Sequence, residues 1–344
     1  MTATRTESSL VTDAWADLVT MLLGAWLMIG IFLDGYAHTN LVDQLESFFT
    51  PWHAVFYSGF LATSAWVFWI VYRNVRLGRS WREAIPIGYG PTVFGLGLFG
   101  LGGLGDGIWH SVFGIESGID ALLSPTHFML FVGGLLGLST AIRTTRARNP
   151  ATDLMPSDRA PLILSLLLVT AALAFFAVYM WIPAQIWAIG IPYEEAQGAV
   201  GYVVAGALVA TAVMVAPVLI VLRWWNLPAG VFLVIWPVVN AAIAVAFTMD
   251  LETALAFGIV GGVTGELLRR VLQPGPLRRG ASLLVTSLAV ATAWAACLIA
   301  FEVVSDILWP PEIWTGLVVL SGLATLGIAW IALPDRARGP APNS

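Results

Sequence analysis

The chain holds four histidines, and each stands in a fixed relation to an aspartate or a proline. Asp34 precedes His38 by four positions, as Asp106 precedes His110, while His53 and His127 each follow a proline by two. The two stretches read DGYAHTNLVDQLESFFTPWHAVFYSGF from Asp34 and DGIWHSVFGIESGIDALLSPTHFMLFVGG from Asp106. Their common skeleton is Asp-Gly-x-x-His, then Glu-Ser, then Ser/Thr-Pro-x-His, with Gly59 and Gly133 six residues past the last histidine. Residues at i and i+4 share one helix face, so each Asp-x-x-x-His presents a carboxylate and an imidazole side by side. Pro51 and Pro125 suit the first position of a following helix, which places His53 and His127 in its first turn. Each helix–loop–helix then brings one carboxylate and two imidazoles to one level. That donor set suits zinc, Cu(II) or non-haem Fe(II), and ligand type alone does not choose among them. Glu46 and Glu116, in the two connections, are candidates to hold the second ring nitrogen of a ligating histidine or to add a ligand. A plainer reading makes each Asp–His pair a helix-end cap and His53 and His127 interfacial anchors. Two copies that use every histidine in the chain favour metal, because ionisable groups near a membrane span are costly to keep.

The elements that must position these residues are membrane helices. Of 344 residues, 58% are hydrophobic and 11% charged, and the mean hydropathy is +0.83. A soluble domain is about one-quarter charged, so a soluble globular enzyme and a disordered chain are both excluded. A span takes roughly 20 apolar residues. Ten apolar segments are expected, at about 15–36, 52–72, 86–109, 125–143, 161–183, 198–222, 229–249, 251–268, 281–305 and 313–333, with boundaries good to about four residues. The fold class is therefore an all-α polytopic membrane protein. Residues 1–150 form a four-helix half carrying both Asp-His-His hairpins. Residues 160–344 form a six-helix half that serves as scaffold or docks partners, with Gly258, Gly261, Gly262 and Gly265 as sites of close helix packing. The polar leader Met1–Asp13 lacks the basic start and cleavage site of a secretory signal, so the first segment is expected to be retained.

Orientation follows from the cations. All 16 basic residues are arginines, and in a ten-span arrangement every one falls on the same side as both termini. The positive-inside rule makes that side cytoplasmic. The metal-binding residues then face the extracytoplasmic side of the cytoplasmic membrane, together with 13 of the 21 acids. Topogenesis explains those acids as a set, although they would also concentrate cations. The chain has no basic footprint for nucleic acid. A single cysteine, Cys297, excludes an internal disulfide and cysteine-based metal clusters. Segments one–two and three–four share an orientation, so the duplication is a parallel repeat.

At these residues the chain resembles the C subunit of the copper membrane monooxygenases, the particulate methane and ammonia monooxygenase family. The first motif of that family is similar to Asp34, Gly35 and His38, then Phe49, Thr50, Pro51 and His53, then Phe56 and Tyr57. Its second motif is similar to His110, Glu116, Pro125 and His127, with Asp106 where the family usually has Asn and Trp109 where it has Gly. The likeness covers residues 30–65 and 100–136. It implies copper sites at Asp34, His38 and His53 and at Asp106, His110 and His127, the second more anionic than in the family. It also implies oxidation of a small apolar substrate with dioxygen, and further monooxygenase-like subunits or a homo-oligomer as partners within the lipid bilayer.

The same ligands would also serve a non-catalytic protein of copper uptake or delivery. A zinc-dependent intramembrane hydrolase shares the donor types but lacks the His-x-x-x-His pair of some membrane amidases. A haem carrier would need bis-histidine pairs in apolar surroundings, and here each hairpin supplies a carboxylate. Phe48, Phe49, Phe56, Trp109 and Phe128 could shape an apolar pocket, although lipid or core contact is the ordinary role of such residues.

Overall fold

The computed structural model describes residues 10–41, 50–114 and 119–335. Among these, every regular element is helical: Ala14–Asn40 (α1), Pro51–Arg76 (α2), Gly90–Phe113 (α3), Asp120–Leu123 (α4), Pro125–Leu138 (α5), Thr140–Arg148 (α6), Pro156–Phe176 (α7), Tyr193–Trp224 (α8), Val231–Ala246 (α9), Leu251–Leu272 (α10), Arg279–Val304 (α11) and Pro311–Ala332 (α12). Nine stretches among the described residues are long and apolar enough to cross a membrane, α5 and α6 counting as one, and α9 is a shorter apolar helix. The chain is a polytopic membrane protein. The ten apolar helices among the described residues, with α5 and α6 taken as one, follow the ten apolar segments of the sequence in order.

Two segments depart from a simple span. The fourth is broken at Ser139. There Ser139 Oγ bonds Leu135 O at 2.5 Å, Thr140 Oγ1 bonds Gly137 O at 2.5 Å, and the Arg143 guanidinium reaches back to Leu136 O at 2.7 Å. Side chains that bond nearby carbonyls compete with the helical ladder. The fifth segment ends as a helix at Phe176, and three short 3-10 turns follow between Val178 and Gly190. Pro183 interrupts the ladder because it has no N–H to donate. The irregular backbone is nonetheless satisfied: Thr253 Oγ1 donates to Pro183 O at 2.8 Å, and the Asp250 N–H to Ala184 O at 3.1 Å. Trp181, Ile182, Ala184 and Ile186 are buried there, as non-helical backbone within a membrane protein requires.

The chain divides into two compact units, Met1–Asp34 with Leu45–Pro150 and Met155–Leu168, and Gly35–Gln44 with Ala151–Leu154 and Val169–Ser344. In the second, α10 lays a glycine face on α9 and α11. A Cβ at Gly258 would stand 2.8 Å from Pro237 Cα, one at Gly265 2.6 Å from the Phe232 ring, and one at Gly261 2.6 Å from Ala293 Cβ. Polar side chains add specific ties inside this bundle, with Trp181 Nε1 on Asn240 Oδ1 at 3.1 Å and Trp294 Nε1 on Thr211 Oγ1 at 2.9 Å.

In the first unit, close approaches at glycine set the register of the repeat. A Cβ on Gly30 would lie 2.4 Å from Phe56 Cα, and one on Gly59 would lie 2.6 Å from Leu27 N. In the second copy a Cβ on Gly102 would lie 3.1 Å from Leu130 N, and one on Gly133 would lie 2.7 Å from Phe99 N. These positions correspond: Gly30 and Gly102 precede the aspartates by four, Leu27 and Phe99 precede them by seven, and Phe56 and Leu130 follow the histidines by three. Both hairpins therefore pack in the same register. Leu27, Phe56 and Phe99 meet in one apolar cluster with Tyr57, Phe60 and Leu130 against it.

Near the start of α1 the same unit buries a charged network. Arg148 gives Nη1 to Asp17 Oδ2 and Nη2 to Asp158 Oδ1, both at 2.6 Å. Thr12, Tyr89 and Thr144 also donate to Asp17, at 2.9, 2.9 and 2.5 Å. Asp17 and Asp158 are completely buried, and the one guanidinium is shared between the two carboxylates while hydroxyl and amide donors supply the remaining bonds. Removing one partner of a buried pair strands the other charge, at a cost of about 3–5 kcal/mol. Arg148→Met is expected to lower the unfolding free energy of the detergent-purified protein by that amount. The exposed Arg76→Ala is expected to stay within about 0.5 kcal/mol of wild type. Equal stability of the two variants in a denaturant titration would remove the network from its structural role.

Candidate metal centres

Local sequence explains how each histidine reaches its place. Thr50 caps α2 and Ser124 caps α5, and the hydroxyl of each accepts the backbone N–H of the histidine three residues on, at 3.1 Å for His53 and 3.2 Å for His127. A hydroxyl at the cap and proline at the next position make a strong helix start. Each histidine is thereby fixed in the first turn, as the spacing predicts. Asp34 and His38 lie one turn apart near the end of the continuous helix α1, and Asp106 and His110 lie one turn apart near the end of α3.

The six sequence-predicted ligands converge into two groups. One ligand atom each from Asp34, His38 and His53 lie within 4.8 Å of one another, and the same holds for Asp106, His110 and His127. In the first, His53 Nε2 is 3.5 Å from Asp34 Oδ1. In the second, His110 Nε2 is 3.4 Å from Asp106 Oδ2, and His127 Nδ1 is 3.6 Å from Asp106 Oδ1. The two imidazoles of the second group meet edge to face, with centroids 6.0 Å apart. Glu46 and Glu116 lie outside the described residues.

One hydrogen bond defines the chemistry of the second group. His110 Nδ1 is 3.1 Å from Gly114 O. A carbonyl only accepts, so Nδ1 carries the proton and, in the neutral ring, Nε2 carries the lone pair. In the neutral ring that lone pair faces Asp106 Oδ2, 3.4 Å away, and in the imidazolium an N–H does. A proton or a metal ion between the two atoms makes the contact attractive. A backbone carbonyl on the far ring nitrogen is a common way to orient a ligating histidine. Gly114 ends α3 with φ +85°, a conformation open to glycine but strained for other residues. The donor set thus fits a metal ion, with two nitrogens and one oxygen supplied by each group.

Several contributors were not singled out as site residues by sequence. Thr126 Oγ1 donates to Asp106 Oδ1 at 2.9 Å, and Ser124 Oγ lies 2.5 Å from His127 Nδ1. Tyr57, one turn beyond His53, has its ring centroid 6.2 Å from that imidazole. Its phenol is within electrostatic reach of both Asp34 and Asp106. Gly103 leaves it room, since a Cβ there would stand 2.8 Å from Tyr57 Oη. Tyr57 falls four residues after His53, a helical spacing that signals a shared face with the ligand. No such signal marks Gly103. Among the aromatic residues, Phe56 belongs to the apolar core, Phe128 is exposed, and Trp109 packs at a tilt against Phe113.

No protein-family model matches the chain, and no curated protein or solved structure matches it.

Two groups of ligands predict two metal equivalents. His53→Ala is expected to remove one and His127→Ala the other, by mass-spectrometric metal analysis after loading with Cu(II) or Zn(II). A separate test leaves every ligand in place. Gly133→Leu forces α3 and α5 apart and should release the equivalent held by Asp106, His110 and His127 while sparing the other. Retention of both equivalents in that variant would show that helix register does not position the ligands.

Proposed function

We propose that the chain is a copper-binding membrane protein, and that it is a membrane monooxygenase or the metal-bearing subunit of one, acting with dioxygen on a small apolar substrate. The observation that carries this reading is the pair of Asp-His-His groups, each built on a helix hairpin of the same register. The likeness of their motifs to the copper membrane monooxygenases adds the metal and the reaction class. Imidazole and carboxylate ligands suit Cu(II) among the first-row metals, and the lack of thiolate ligands argues against iron–sulfur clusters and thiolate-bound Cu(I).

Asp34, His38 and His53 would hold one ion, and Asp106, His110 and His127 a second. Copper bound there would supply one-electron redox chemistry toward dioxygen. Three protein ligands leave a coordination position for an exogenous molecule. The chain's own residues have narrower tasks. Thr50 and Ser124 set the histidines at the helix starts, the Gly114 carbonyl holds the His110 ring, and the glycine contacts hold each hairpin at the correct height. A small apolar substrate would arrive through the bilayer that surrounds the helices. The arginine distribution supports placing both centres toward the extracytoplasmic face of the cytoplasmic membrane.

The test begins with the metal content of protein purified in detergent, beside a variant carrying both His53→Ala and His127→Ala. Wild type is expected to carry copper that the variant lacks. Membranes containing wild type, with partner subunits and a reductant, are then expected to incorporate an atom of labelled dioxygen into a small hydrocarbon. Copper without oxygenation would transfer the assignment to copper uptake or delivery. Zinc in place of copper would transfer it to a hydrolase. Absence of metal after copper loading would leave the Asp–His pairs as structural caps.

A further inference from the structure

The two hairpins share a register but differ at the residue between the helix-starting proline and the histidine. It is Trp52 in the first and Thr126 in the second. Thr126 Oγ1 donates to Asp106 Oδ1 at 2.9 Å and lies 3.0 Å from Ser124 Oγ, which in turn lies 2.5 Å from His127 Nδ1. A chain of two hydroxyls therefore joins the carboxylate of one helix to the imidazole of the next. Both hydroxyl residues are buried, Thr126 at 8% exposure and Ser124 at 4%. Glycines bring α3 close enough for this bond: a Cβ at Gly105 would lie 3.1 Å from Thr126 Cγ2, and one at Gly102 3.2 Å from Thr126 O. The indole of Trp52 in the corresponding place has no hydroxyl. The carboxylates also differ in solvent access. The side chain of Asp106 is 3% exposed and that of Asp34 is 19%.

These differences bear on metal capture. A carboxylate already fixed in orientation loses less freedom when it takes an ion. A buried carboxylate has already given up its water in the folded apoprotein and is screened less from a cation. Thr126 occupies Oδ1 and leaves Oδ2 facing His110 Nε2. Outer hydrogen bonds of this kind typically change metal affinity by about 10–100-fold.

We infer that the two centres are unequal, with Asp106, His110 and His127 forming a pre-set, high-affinity site that fills first and Thr126 acting as its positioning residue. Asp34, His38 and His53 then form the more readily exchanged site. This inference rests on the reading that both groups bind metal.

Titration of detergent-purified apoprotein with Cu(II) against a competing chelator tests it. Two resolved binding steps are expected. Asp34→Ala should keep only the tighter step, and Asp106→Ala only the weaker. Thr126→Val keeps the side-chain shape and removes the hydroxyl, and should weaken the tighter step by about tenfold or more while leaving the weaker one in place. Thr126→Ser should restore most of the loss, which separates the hydrogen bond from a packing defect. Loss of the tighter step in Asp34→Ala, equal affinities for the two steps, or an unchanged titration in Thr126→Val would each overturn the inference while leaving metal binding intact. Failure of wild type to take up Cu(II) would overturn both the inference and the metal reading beneath it.

Discussion

Close helix contact at glycine is the constraint on which the candidate centres depend. An aspartate near the end of one helix and a histidine in the first turn of the next meet only if the two helices sit at one height and one rotation. Gly30 and Gly59 set those values for α1 on α2, and Gly102 and Gly133 set them for α3 on α5, through contacts with corresponding residues. Small residues are the main means of close approach between membrane helices, because lipid offers no hydrophobic drive to press larger ones together. Without that approach the same ligands would stand on separate helices with no shared ion between them.

The electrostatics follow from this packing. Asp106 is almost fully buried and faces two imidazoles, and the bond from His110 to Gly114 fixes one ring with Nε2 toward its carboxylate. Bringing such groups together away from water is unfavourable unless a proton or a metal ion joins them. Near the start of α1 the same problem is solved within the protein, because Arg148 stands between Asp17 and Asp158. The arginine network is paired within the protein, and the triads offer a carboxylate and imidazoles that a proton or a metal ion would join.

The second unit places its few polar side chains differently. Asn240, Thr211 and Thr253 each satisfy an indole or a backbone carbonyl among buried apolar residues. They hold helices and irregular backbone in place.

Sequence alone determined the class of the fold and the residues of the candidate site. The apolar segments could be read because a span must be long and apolar whatever its neighbours, and the repeat because each Asp-x-x-x-His and Pro-x-His uses local helical geometry. Tertiary structure alone decided how these pieces meet. Breaks at Ser139 and after Phe176 depend on side-chain bonds and buried partners that hydropathy does not encode. Proline cannot donate, but where the freed carbonyls find donors is a question of packing. The proton on His110 Nδ1 required a carbonyl at the helix end, and the support of Asp106 required Thr126 on a neighbouring helix. Local spacing selects which residues share a face. Only the packing of one helix on another selects which faces meet.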